Sequence, residues 1–78
     1  EGETITYFDG TLIQTEGKMA NNKREGEWKW YHQNGTLETS ANYVNGLKEG
    51  PQNFYDEYET LIRTEYYQHG ELTDVEIK

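Results

Sequence analysis

Seventy-eight residues suffice for one small domain with a thin core. Hydrophobic residues make up 32% of the chain and the net charge is −8, a balance that leans toward disorder, which only the 14% aromatic content opposes through its large buried area per ring. The acidity excludes a nucleic-acid partner and disfavours an anionic membrane surface, while the lack of cysteine excludes disulfides and thiolate metal sites.

Taken in chain order, the sequence reads as three copies of one unit. Glu-Gly occurs at Glu1-Gly2, Glu25-Gly26 and Glu49-Gly50, a spacing of 24, and Tyr7, Tyr31 and Tyr55 each follow that glycine by five residues. Leu12, Leu37 and Leu61 come next, then Met19, Tyr43 and Tyr67, then Asn22, Gly46 and Gly70. The units span 3–26, 27–50 and 51–74 of a single domain covering 1–78, and residues 75–78 read as the start of a fourth. The first residue is Glu1 rather than Met, so the sequence reads as a fragment from which a targeting segment could have been lost, and no compartment is indicated.

In the first unit the turn at Asp9-Gly10 comes one residue early relative to Tyr7, and an extra residue precedes Met19. A bulge near Glu16-Gly17 is the expected remedy. The second unit is the clearest. Asn34-Gly35 predicts a two-residue type I′ hairpin turn, because both residues accept positive φ. That turn would set His32 opposite Leu37, Trp30 opposite Thr39 and Trp28 opposite Ala41. Alternation then gives one face to Trp28, Trp30, His32, Leu37, Thr39, Ala41 and Tyr43, and the other to Lys29, Tyr31, Gln33, Thr36, Glu38, Ser40 and Asn42. "NGLKEG" is the connecting loop. In the third unit Tyr58-Glu59 replaces Asn-Gly, which predicts a looser or longer turn. The expected fold is all-β: a single-layer antiparallel β-meander of about three tandem hairpins and about six strands, elongated and twisted, with Trp28 and Trp30 at the centre of its core.

The pattern of Gly26, Trp28, Tyr31, Asn34, Gly35, Leu37, Tyr43, Asn45, Gly46 and Gly50 resembles the MORN (membrane occupation and recognition nexus) repeat, in the bacterial variant found in antitoxin-like proteins. The outer units match at Gly2, Tyr7, Gly10 and Leu12, and at Tyr55, Leu61, Tyr67 and Gly70. The resemblance covers nearly the whole chain. It implies an elongated meander of hairpins that serves in binding, scaffolding or self-association, with no catalytic residues to carry over. It also implies two narrower roles, toxin neutralisation and lipid binding.

The residues themselves offer little catalytic chemistry. Ser40, the one serine, falls mid-strand with no histidine beside it in the expected register, and His32 and His69 stand at non-equivalent positions. Asp56, Glu57 and Glu59 lack the ligand spacing of a calcium loop, and no glycine-rich phosphate cradle is present. The expectation is therefore a non-enzyme with no cofactor or metal. Its candidate interaction surface is Tyr31, Tyr55 and Tyr66, with Ile62 nearby, on the face away from the tryptophans, together with the acidic turn of Asp56, Glu57 and Glu59. Lys23, Arg24 and Lys48 would mark the opposite margin of the sheet. A protein partner, basic in charge, fits this distribution, and self-association through exposed edge strands is a further expectation.

Overall fold

The computed structural model describes residues 2–78. Among them every regular element is a strand: β1 Gly2–Asp9, β2 Leu12–Ala20, β3 Lys23–Tyr31, β4 Leu37–Val44, β5 Leu47–Lys48, β6 Gly50–Tyr55, β7 Leu61–Gln68 and β8 Glu71–Ile77. All pair antiparallel in one open sheet of order β1-β2-β3-β4-β6-β7-β8, with β5 also on β4. Eight strands replace the expected six or so. The "NGLKEG" segment pairs as well as connects, and the tail joins Glu71–Asp74 in one strand. The sheet is a slab of 37 × 35 × 11 Å, nearly as wide as long rather than elongated, and its thickness is that of one layer.

Two kinds of connection recur, at opposite margins, while the first hairpin turns at Gly10-Thr11, between the paired Asp9 and Leu12, rather than at the expected Asp9-Gly10. Asn21-Asn22, Asn45-Gly46 and His69-Gly70 all have positive φ at both residues (54° and 63°, 53° and 84°, 52° and 85°), the geometry of type I′ turns. The flanking pairs Ala20↔Lys23, Val44↔Leu47 and Gln68↔Glu71 close them as two-residue hairpins.

Asn34-Gly35 is different, and corrects the expectation. Only Gly35 has positive φ, at 91°. The Gly35 N–H donates to His32 O (3.0 Å) and the His32 N–H to Thr36 O (2.8 Å), so the loop has three central residues, a type I turn closed by a left-handed glycine. Tyr31, not His32, consequently faces Leu37. A bulge follows at once, and Trp30↔Thr39 and Trp28↔Ala41 are restored as expected. The two deviations cancel over the tryptophans but exchange the places of Leu37 and Glu38. The third hairpin repeats this loop: the Glu59 N–H donates to Asp56 O (2.9 Å) and the Asp56 N–H to Thr60 O (3.0 Å), and Tyr55 faces Leu61. It is neither looser nor longer. Glu59, at φ 65°, holds the left-handed position that Gly35 holds one hairpin earlier. Gly35→Val should lower stability by ~1–3 kcal/mol, because a β-branched residue resists this φ; urea titration checks it, and an unchanged midpoint would contradict the turn.

The expected irregularity near Glu16-Gly17 lies in the β2–β3 ladder. Glu16 pairs Lys29 and Lys18 pairs Glu25, so Gly17 alone faces the three residues Gly26, Glu27 and Trp28. The extra residues are thus on β3. A matching offset separates Ser40↔Asn53 from Tyr43↔Lys48. Gly26 (φ 75°) and Gly50 (φ 83°) make these two bends, which explains a glycine at each position.

The core is small. Trp28, Ala41 and Tyr43 are buried, and Met19 and Trp30 pack on them. The Trp28 indole N–H donates to Lys18 O at 3.0 Å, so burial leaves no polar atom of the ring unsatisfied. Thr39, Gln52, Thr64 and Glu65 extend the buried set with polar side chains. β1 and β8 end the sheet as edge strands, and every residue of β8 is exposed.

Candidate interaction face

Alternation from the observed pairs defines the two faces. Trp28, Trp30, Thr39, Ala41 and Tyr43 share one, here the tryptophan face. Glu16 and Lys29 pair on the other, and Tyr31, two residues from Lys29, belongs with them.

Cations cover much of the tryptophan face. The Arg24 guanidinium lies 4.8 Å from the Trp28 ring centroid, 5.7 Å from Trp30 and 5.5 Å from Tyr43. Lys48 Nζ lies 4.7 Å from the Tyr67 ring and donates to Gln52 Oε1 at 2.9 Å. Arg63 stands 5.5 Å from the Phe54 ring and is paired to Glu65, whose Oε1 also accepts the Tyr67 hydroxyl at 2.8 Å. These contacts shield the rings from water without a second layer.

Toward the margin of the three-residue loops the same face is less covered. One cleft of about 560 Å³ is lined by Phe8, Trp30, His32, Glu38 and Glu57 among others. A second of about 510 Å³ is lined by His32, Glu38, Thr39, Phe54, Asp56 and Ile62 among others. Glu38 Oε2 sits 3.7 Å from His32 Nδ1, and His32 Nε2 is 3.0 Å from Tyr55 O. Equivalent bulges in the β3–β4 and β6–β7 ladders bring Glu38 and Ile62 here. The sequence assigned Glu38 to the opposite face and Ile62 to the tyrosine stripe, because simple alternation carries no signal for an inserted residue. Both assignments are corrected.

The candidate surface residues do not gather into one patch. Tyr31 and Tyr55 are half-buried, and each contributes to the wall of one cleft. The Tyr31 hydroxyl donates to Glu16. Burial, then that hydrogen bond, pushes its pKa up to about 12. Tyr66 lies opposite Asp74, and its hydroxyl donates to Glu76 Oε1 at 3.1 Å, which raises its pKa. Glu76 in turn is lowered, chiefly by its hydrogen bond from Lys78. Asp56 is committed to its own turn, with Oδ1 accepting the N–H groups of Tyr58 (2.9 Å) and Thr60 (3.0 Å). Glu59 Oε2 accepts the Leu37 N–H at 3.1 Å. The Glu57 carbonyl accepts Asn34 Nδ2 at 3.0 Å and Thr36 Oγ1 at 3.2 Å, so backbone and side chains of this turn fasten two adjacent loops. Glu57 also lines the first cleft.

Since ionised Tyr31 is disfavoured in the folded state, its contribution is fully present below pH 10 and is lost as pH rises through about 12. The melting temperature should therefore fall across that window, by the equivalent of about 1 kcal/mol after screening at a partly exposed hydroxyl. Tyr31→Phe should start less stable and flatten that part of the profile; an equally steep fall in the variant would contradict the assignment.

Ser40 is buried mid-strand in β4 opposite Lys29. Among the described residues no group of three or more His, Asp or Glu is placed to hold a metal ion. Comparisons with protein-family models, curated proteins and solved structures find no match to this chain.

Proposed function

We propose that this chain is a non-enzymatic protein–protein interaction module built from three MORN-like repeats of 24 residues, at 3–26, 27–50 and 51–74. The recurrence of specific contacts supports the repeat. The Gly46 N–H donates to Arg24 O (3.0 Å) and the Gly70 N–H to Lys48 O (2.9 Å). The Asn45 N–H meets Glu25 Oε1 and the His69 N–H meets Glu49 Oε1, both at 3.0 Å. The observation that carries the function is the open, one-layer sheet, whose aromatic face is uncovered only toward its acidic loop margin. Such a surface offers apolar contact area with a charge that selects a basic protein.

Capture with the tagged chain, followed by reconstitution from purified components, should yield a stoichiometric complex with a basic protein that weakens as salt rises. Failure of any complex to reconstitute, or a catalytic turnover abolished by Ser40→Ala, would overturn the reading. The net charge of −8 also favours a second, narrower role, neutralisation of a basic toxin. Rescue of growth against the captured partner separates that role from scaffolding. Lipid binding is disfavoured by the same charge.

A further inference from the structure

We propose that the two clefts beside His32 form one docking trough for an extended segment of a basic partner, with an arginine of that segment seated against Trp30 between Glu38 and Glu57. The inference rests on the interaction-module reading and names the surface it uses.

The clefts adjoin at His32 and Glu38, which line both, and together they run from Phe8 in the first hairpin to Ile62 in the third. Equivalent strands of successive hairpins lie roughly 10 Å apart, so the trough spans about 20 Å, the length of about six extended residues. A free amino acid or small cation would leave most of it empty. Its lining includes apolar side chains along its length: Phe8, Trp30 and Phe54 are half-buried and Ile62 is 43% exposed.

The charge is one-sided. Glu38, Asp56 and Glu57 line the trough, and neither lining includes a lysine or arginine. Arg63, which stands over Phe54, is already neutralised by Glu65. Elsewhere on the face the molecule shows what its rings attract. Arg24 lies closer to Trp28 and Tyr43 than to Trp30, and Trp30 also lines the first cleft with Phe8 and His32. Arginine fits this place better than lysine, because a planar guanidinium can stack on the indole while its edge donates to carboxylates on either side.

The test uses a nine-residue, end-capped peptide of alternating serine and alanine with one central arginine, and the same peptide with neutral citrulline in its place. The indole N–H resonances of the full chain report binding. The Trp30 signal should move on titration with the arginine peptide, while that of Trp28, tied to Lys18 O, stays. Citrulline, or the double variant Glu38→Gln/Glu57→Gln, should weaken binding about tenfold. Equal binding of the citrulline peptide, equal binding by the double variant, or no Trp30 shift at millimolar peptide would each overturn the proposal. The two readings fail separately. A natural complex that forms equally well with the double variant removes the trough and keeps the module. Peptide binding without any reconstituted complex does the reverse.

Discussion

Trp28→Ala should cost about 3–5 kcal/mol, a large share of what a domain of this size has to spare. Trp28 is 3% exposed, and it is the largest side chain in the buried cluster with Ala41 and Tyr43. Truncation would remove the contact with Trp30 (ring centroids 6.4 Å apart), the platform under Arg24, and the donor to Lys18 O. In a two-layer protein the opposite layer could partly collapse into such a hole. Here one layer of backbone is all there is, so water fills the site and Tyr43 and Met19 lose their cover as well. Urea unfolding of the variant measures the loss; a difference below about 1 kcal/mol would place the ring at the surface.

Gly17→Ala should cost about 3 kcal/mol, although it adds one methyl group. A Cβ at Gly17 would lie 2.0 Å from Trp28 Cδ2 and 2.2 Å from Cε2, and a ring pinned by its N–H cannot step aside. The glycine is needed because the indole lies flat against the backbone of β2. One hairpin later the corresponding pair is Ala41 and Gln52, both buried, where a smaller side chain leaves room for the methyl group. Gly17→Ala should therefore be costly beside Trp28 and nearly neutral in a Trp28→Gln background. A double-mutant cycle reads the difference. Additive losses would mean that the two positions do not press on each other.

The all-β meander was legible because turn signals and apolar alternation agreed in the second unit and were echoed in its neighbours, and Trp28 opposite Ala41 and Trp30 opposite Thr39 follow from it. What escaped was the kind of each turn. Asn34-Gly35 and Asn45-Gly46 are the same dipeptide, yet the first closes a three-residue loop with a bulge and the second a two-residue turn. The dipeptide fixes only that the chain reverses. Which residue takes the left-handed conformation depends on the hydrogen bonds that His32 and Thr36 can make across the loop. The candidate surface suffered most, since an inserted residue in each of β4 and β7 moves Glu38 and Ile62 to the tryptophan face. The close approach behind Gly17 was equally hidden, because a glycine in a strand signals proximity without naming what comes near.

Among the described residues, substantial contacts in this sheet run only between strands that are ladder neighbours, with β1 and β8 at opposite edges. Stability here is consequently a local property, handed from strand to strand rather than held in a shared interior. The rims can fray while the central hairpin stays closed. Folding, too, needs no long loop to be shut at the outset: the β3–β4 hairpin can form first, and the sheet can grow outward from it in both directions.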